Sequence, residues 1–390
     1  MTQRTRHFRI AHITTVDQSV RFLLLNQLLY LREQGYEIET VCANGQWVAA
    51  VRSRGIPVHT ITMKRAVTPF SDLVALVRLY RLFRRERFDL IHTHTPKANF
   101  LGQLAAWLAR VPRRVITVHG FYFYDGMPKW ERRFYILLEK ISSRCAHWIF
   151  SQNREDIATA IRERISPEWK LHFLGNGIDV DYFRHDRHLG AAVRLRSELG
   201  IPPGTPVVGI VGRLTLEKGY REFVEAAAII CAQHPGAHFV AIGPEDVISR
   251  SAIEKVMEEL RPAPVLHFCG MQVDMPKFYA MMSVCVLPSH REGVPRALME
   301  AAAMSLPAVA TNIRGCREVV EPGRTGLLVP VRDARRLADA ILELLGDPER
   351  ARAMGEKARR KAEREFDERL VFVRVRDAYT QLMQASAAKR

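Results

Sequence analysis

Val207-Val208-Gly209-Ile210-Val211-Gly212-Arg213-Leu214-Thr215-Leu216-Glu217-Lys218-Gly219 decides the fold. A short β-branched run ends at a glycine, passes through a loop carrying Arg213 and Lys218, and meets an amphipathic stretch over 222–233. Glycine lets the backbone come close to a ligand. Arg213 offers a planar fork and Lys218 a point charge for phosphate oxygens. The same order returns at Val284-Cys285-Val286-Leu287, which runs into Pro288-Ser289-His290-Arg291-Glu292-Gly293-Val294-Pro295-Arg296 and an apolar helix over 296–304. Pro295 suits the first turn of that helix, whose N-terminus favours an anion. Glu300 sits in an apolar surround on it and needs a partner, for which Arg291 and Arg296 are candidates.

Working outward, the pattern fills the chain. Runs at 8–14, 38–43, 58–62, 90–93, 115–118, 148–150 and 171–174 read as strands, with helical patterns at 20–34, 70–87, 100–109 and 130–144. A turn-rich, charged stretch over 184–206 interrupts the series. A second series follows, with strands at 207–211, 239–242, 265–268, 284–287 and 308–310 and helices at 222–233, 252–260, 296–304 and 334–345. The tail from 348 to about 384 reads as wholly helical. Strand, helix, strand at this spacing means right-handed crossovers and parallel sheets. The expected fold is α/β: two doubly wound, Rossmann-like domains facing a cleft, with ligands beyond the carboxyl ends of the strands.

Composition narrows the chemistry. At 390 residues with 47% hydrophobic and 26% charged side chains, the chain is neither disordered nor a disulfide-stapled miniprotein. Cys42, Cys145, Cys231, Cys269, Cys285 and Cys316 form no CxxC pair and read as buried thiols of a reducing compartment. No apolar run reaches the 18 or so residues of a membrane span. Arg4, Arg6 and Arg9 precede a stretch interrupted by His12 and Asp17, unlike a signal peptide, so a cytoplasmic location is expected. The net charge of +16 favours anionic partners, and most of the excess lies in residues 1–184, with 28 Lys and Arg against 16 Asp and Glu. Much of it falls on two amphipathic stretches. One carries Arg78, Arg81, Arg84, Arg85 and Arg87 among leucines and aromatics. The other carries Lys129, Trp130, Arg132, Arg133, Phe134, Tyr135, Lys140 and Arg144. Such helices either cover a sheet with a solvated basic face or lie on an anionic membrane.

His119-Gly120 follows the strand at 115–118, where the histidine either faces the expected cleft or is a satisfied structural imidazole. Asn176-Gly177-Ile178-Asp179 follows the strand at 171–174 and reads as a turn near the domain junction. Asp179-Val180-Asp181 imitates a DxD metal motif but reads better as a cap and a solvated acid, and no metal is expected.

Taken together, Gly212-Arg213-Leu214 with Lys218-Gly219, Glu292 and Glu300 with seven residues between them, and Thr325-Gly326-Leu327-Leu328-Val329 resemble the family 4 glycosyltransferases of GT-B fold. His92-Thr93-His94-Thr95-Pro96-Lys97-Ala98 and Thr117-Val118-His119-Gly120-Phe121 are similar to its bacterial surface-polysaccharide and lipid-linked glycan branch. The resemblance implies an acceptor-side domain over 1–188, a nucleotide-sugar domain over 189–367, and a C-terminal helix, about 368–388, crossing back to the first. It implies that Arg213 and Lys218 hold the donor diphosphate and that Glu292 bonds donor-sugar hydroxyls. By the same resemblance Glu300 binds the ribose, and the Gly293 and Val294 amides reach sugar or phosphate. Gly270 and Met271 would border the base, and His119 would stand beside the transferred sugar. The implied reaction is metal-independent transfer with retention from a nucleotide-diphosphate sugar, which is substrate and not cofactor. The implied donor is a UDP-sugar, in its finer form a UDP-N-acetylhexosamine, with GDP the other nucleotide. The implied acceptor is a glycan or a polyprenyl-diphosphate-linked sugar at the inner face of the membrane. A double displacement would need a carboxylate nucleophile, for which Asp125 is the weak candidate. Many relatives carry a glycine pair after the first strand. Here that loop reads Thr14-Thr15-Val16-Asp17-Gln18-Ser19. Two other readings remain: an enzyme like UDP-N-acetylglucosamine 2-epimerase, opposed by the Arg-to-Lys and Glu-to-Glu spacings, and a basic nucleic-acid binder, which lacks any recognisable binding signature.

Overall fold

The apolar runs of the first series become seven parallel strands: β1 (Arg9–Ile13), β2 (Glu37–Cys42), β3 (Val58–Thr60), β4 (Leu90–Thr93), β5 (Arg113–Val118), β6 (Trp148–Ser151) and β7 (Leu171–Phe173). They stand in the order β3-β2-β1-β4-β5-β6-β7. The structure is a computed structural model describing residues 8–387 except 65, 125, 246, 262 and 263. β1 is buried from Ile10 to Ile13 because helices cover both faces of the sheet. Leu28, Leu31, Val371, Val375 and Tyr379 pack on one face. Leu79, Phe83, Leu101 and Ala105 pack on the other. Sheet growth reverses between β1 and β4, so the crossovers part there and open a crevice at the strand ends.

The second series gives six parallel strands: β8 (Val207–Val211), β9 (His238–Ile242), β10 (Val265–Phe268), β11 (Val284–Leu287), β12 (Ala308–Thr311) and β13 (Gly326–Val329). Their order is β10-β9-β8-β11-β12-β13, with the reversal between β8 and β11. Phe223, Leu337 and Ile341 cover one face, and Phe278, Leu298 and Met299 the other.

The chain divides into Met1–Gly175 with Val371–Arg390, and Asn176–Leu370. The first boundary falls ahead of the expected 188/189. Ile178, Val180 and Phe183 belong to the core of the second unit, so the boundary falls at the turn after β7, ahead of the charged stretch over 184–206. The helical tail is made of two helices, Pro348–Glu365 and Glu368–Ala387. The chain extends between them, where Ile178 N–H donates to Phe366 O at 2.8 Å and Glu368 N–H to Ile178 O at 3.0 Å. Helices Arg154–Arg162, Leu189–Glu198 and Pro276–Met281 were not expected. The first starts where the Asn153 side chain accepts the Glu155 and Asp156 amides, a cap hidden in a polar run. The helix expected over 100–109 begins earlier, at Pro96.

Candidate active site

The turns after β8, β9, β11 and β12 of the second unit meet backbone to backbone. Gly219 has φ +75°, and a Cβ there would lie 2.1 Å from Pro288 O, so the turn after β8 rests directly on the turn after β11. A Cβ on Gly315 would lie 1.8 Å from Gly293 O, which brings the helix after β12 onto the Glu292-Gly293 peptide. A Cβ on Gly243 would lie 2.0 Å from Gly212 O, and the Gly243 amide donates to Gly270 O at 2.9 Å. The turns after β8, β9 and β10 are thereby tied together. No side chain larger than hydrogen fits at these approaches.

The side chains follow from that frame. Lys218, at the end of the single turn Leu216–Lys218, forms an ion pair with Glu292. Ser289 Oγ donates to the same Glu292 oxygen at 2.8 Å, and Thr311 holds Ser289 through its carbonyl. His290 meets Glu222 at 2.8 Å. Burial would raise the Glu222 carboxyl, yet the His290 bond leaves it below the ordinary value. Arg291 meets Glu217 at 2.8 Å. Lys218 and Glu292, expected to grip phosphate and sugar separately, neutralise one another across the reversal of the sheet. Arg213 is exposed and makes no side-chain hydrogen bond or ion pair among the described residues. Thr215 Oγ1, in the same loop, is buried without a hydrogen-bond partner among those residues.

Glu300 is the fifth residue of the helix Arg296–Ala303, with Pro295 just ahead of it as the cap residue. Burial pushes its carboxyl above the ordinary value, while Arg296 at 3.5 Å and the Tyr279 hydroxyl at 2.9 Å pull the other way. Arg296 also donates to Gly177 O, and Asn176 Nδ2 donates to Val294 O at 3.3 Å, so Asn176-Gly177 braces this turn. Val294 is buried and its carbonyl is engaged. Gly270 has φ +62° and open space beside it, and Met271 is exposed. The second unit thus gathers Lys218, Glu292, Gly293 and Val294 in one place and ties Gly270 to it through backbone. Among the described residues no hydrogen bond or ion pair joins Arg213 or Glu300 to the Lys218–Glu292 pair. Asp179 accepts the Asp181 and Tyr182 amides at 3.0 and 2.9 Å, and Arg369 meets Asp181 at 3.2 Å. Those two acids are engaged structurally.

In the first unit His119 follows β5 and is half-buried, with Nε2 3.4 Å from His94 Nδ1. His94 in turn meets His12, and Tyr379 of the last helix bridges His12 and His92. Burial pushes His12 down to about 3 and His119 to about 4, and holds His92 and His94 well below 6.5. His12, His92 and His94 lie close enough to suggest a metal. Yet all six of their nitrogens already meet His119, Thr117, Tyr379 or one another. The loop after β1 compensates for its missing glycines with side-chain anchors. Thr15 meets Thr95 at 2.6 Å, and Asp17 accepts the Trp47 amide at 2.7 Å in the space that a side chain at Gly45 would occupy. Asp125 lies outside the described residues.

Sequence reasoning passed over His12, Ser289, His290, Glu222 and Tyr379. Ser289 and His290 stood inside a motif already singled out. His12 and Tyr379 become partners only through the fold, 367 residues apart.

Sheet order defines two Rossmann-like units, each with its turns gathered at the reversal of the sheet. Residues 193–361 match the family described as glycosyl transferases group 1, and residues 24–177 match the glycosyl transferase 4-like domain. The chain belongs to this family, the family 4 glycosyltransferases. It is 27% identical over 386 residues to the capsular polysaccharide biosynthesis glycosyltransferase CapM of Staphylococcus aureus, covering 98% of this chain and 99% of the relative. It is 28% identical over 349 residues to the UDP-Gal:alpha-D-GlcNAc-diphosphoundecaprenol alpha-1,3-galactosyltransferase of Escherichia coli, with 87% and 88% covered. HepE of Anabaena, solved in complex with UDP and glucose, superposes with a TM-score of 0.83 at 20% identity over 96% of this chain and all of that one.

Proposed function

We propose that the protein transfers a hexose or N-acetylhexosamine, with retention, from a UDP-sugar to a polyprenyl-diphosphate-linked or polysaccharide acceptor in bacterial surface-glycan synthesis. The observation that carries this reading is the Lys218–Glu292 pair at the β8/β11 reversal, where an open parallel sheet binds its ligand. Departure of a nucleoside diphosphate builds negative charge on the β-phosphate. Lys218, the unpaired Arg213 and the N-terminus of Arg296–Ala303 are the groups that would meet it. Glu292, freed from Lys218 by the phosphate, would accept from sugar hydroxyls, and Glu300 from the ribose. These cations supply charge stabilisation from the chain itself, which is why we favour a metal-independent reaction. The E. coli relative's name supplies the acceptor class.

The face formed by helices Pro69–Glu86 and Lys129–Cys145 supports work at a membrane surface. Helix Pro69–Glu86 has two apolar stripes. Ala75, Leu79, Leu82 and Phe83 are buried, while Phe70, Leu73, Val74 and Val77 are exposed, Phe70 by 89%. Trp130 is 74% exposed at the start of the other helix. Covering the sheet needs only the first stripe. The second, flanked by arginines, fits an anionic lipid surface. Among the described residues no helix is long and apolar enough to cross a membrane.

A thermal-shift panel of UDP-, GDP-, ADP- and dTDP-sugars tests the donor. A true donor at 100-fold over its Kd adds about 2.7 kcal/mol. Stabilisation by GDP-sugars alone, or by none, would refute the UDP reading. The anomeric configuration of the product, read by NMR, decides retention.

A further inference from the structure

Five hydrogen bonds join six side chains of the first unit end to end. Thr117 Oγ1 meets His92 Nε2 at 2.7 Å, and His92 Nδ1 meets the Tyr379 hydroxyl at 2.6 Å. That hydroxyl meets His12 Nε2 at 3.2 Å. His12 Nδ1 meets His94 Nε2 at 2.9 Å, and His94 Nδ1 meets His119 Nε2 at 3.4 Å. A neutral imidazole carries a proton on one nitrogen and a lone pair on the other. Each ring inside the chain therefore donates on one side and accepts on the other, and a hydroxyl between two nitrogens does the same. Fixing the direction of one bond fixes all five.

Two states result. In one, Thr117 donates to His92, every bond points toward His119, and His119 accepts at Nε2 and carries its proton on Nδ1. In the other, every bond points toward Thr117 and His119 carries its proton on Nε2. Thr117 then accepts, and its own hydrogen needs a second acceptor. Thr117 is buried, and among the described residues its hydroxyl has no side-chain partner except His92. Leaving that hydrogen unpaired disfavours the second state by roughly tenfold or more.

We propose that Thr117 sets the direction of this chain and thereby holds His119 as the neutral tautomer protonated on Nδ1. His92, Tyr379, His12 and His94 are positioning residues that transmit the choice. The chain is a lock and not a proton conduit, because its inner end, His92 and Thr117, is closed to solvent. Burial keeps the rings neutral, as the depressed values of His12 and His119 require. A side-chain hydrogen bond to Gln152 opposes that depression at His119, as a carbonyl accepting a ring N–H would. In this tautomer both ring nitrogens of His119 are engaged, Nε2 by His94 and the Nδ1 proton by Gln152, and His119 offers the sugar no general base. That last consequence rests on the placement of His119 beside the transferred sugar. The tautomer itself does not.

The test is long-range proton–nitrogen NMR of the full chain with 15N-histidine at pH 7, His119 being assigned by comparison with His119→Asn. The expected result is a protonated Nδ1 and a bare Nε2. In Thr117→Val neither direction is satisfied at His92, so the tautomer ratio at His119 should fall about tenfold toward parity, while Thr117→Ser keeps it. Tyr379→Phe severs the chain and should act alike, which keeps the test open if the valine variant folds poorly. A protonated Nε2 in the unaltered protein, or an unchanged ratio in both Thr117→Val and Tyr379→Phe, overturns the proposal. In kinetics, Thr117→Val should lower kcat with donor KM nearly constant, and Thr117→Ser should restore it. If the tautomer is as expected while His119→Asn keeps full kcat, the lock stands and the placement of His119 beside the sugar falls.

Discussion

Replacing Lys218 with methionine removes a charge from a pair that water scarcely reaches. The Lys218 side chain is 19% exposed and that of Glu292 11%. Losing one partner of a buried pair costs roughly 3–5 kcal/mol, because the other charge is stranded. Here Ser289 Oγ still donates to Glu292 at 2.8 Å, so about 2 kcal/mol is the better expectation. For a unit of this size that lowers its Tm by roughly 4–8 °C. Adding Glu292→Gln should then recover most of the loss, since the stranded charge disappears. Ligand binding should behave differently. A charge-assisted bond to phosphate is worth roughly 1.5–3 kcal/mol, so UDP affinity should fall about 10- to 100-fold in Lys218→Met and stay low in the double variant. Scanning calorimetry reads the first effect and titration calorimetry with UDP the second. UDP affinity within twofold of the parent would refute the phosphate role. A double variant no more stable than Lys218→Met would refute the stranded-charge reasoning.

Glu300 has its pKa raised by burial, so the unfolded chain gives up that proton at lower pH than the folded one. Its contribution to stability is therefore lost as pH rises above the ordinary carboxylate value. Glu300→Gln should stabilise the protein at pH 7 and lose that advantage near pH 4 in urea titrations, while weakening UDP binding about tenfold. The four linked histidines have the opposite sign. Their folded values are depressed, so stability present above pH 6.5 is lost on acidification, by up to about 1.4 kcal/mol per pH unit for each ring. Acid unfolding that does not begin between pH 6.5 and 4 would contradict neutral burial. Serine at Phe70 and Trp130 together should abolish flotation with anionic vesicles and leave transfer to a water-soluble acceptor analogue intact. Flotation that persists, or is absent from the parent protein, removes the membrane surface.

Strand positions were legible because parallel strands buried on both faces are continuous apolar runs, as at β8 and β11. The reversal points follow from sheet order, which periodicity does not contain. Glu300 could be flagged as an acid on an apolar helix, but its partners, Arg296 and Tyr279, could not both be chosen, because Tyr279 comes from another element. The ion pair of Lys218 with Glu292 was hidden for a related reason. Each was read as a ligand group, and the contact of Gly219 with Pro288 that brings their turns together spans 69 positions of sequence. The unexpected helix Leu189–Glu198 buries only Ala192 and Leu195, too thin a stripe for periodicity to reveal.

Tyr379 has a consequence for biosynthesis. The first unit's sheet is complete once Phe173 has been made, yet one of its two faces is covered in part by Val371, Val375 and Tyr379. About 200 further residues must be translated before that helix exists, which at about 5–20 residues per second takes on the order of 10–40 s. For that interval the nascent unit displays bare leucines and a row of histidines without their bridging phenol. The half of the molecule made first is thus finished last, and its exposed flank is where a ribosome-associated chaperone would be needed.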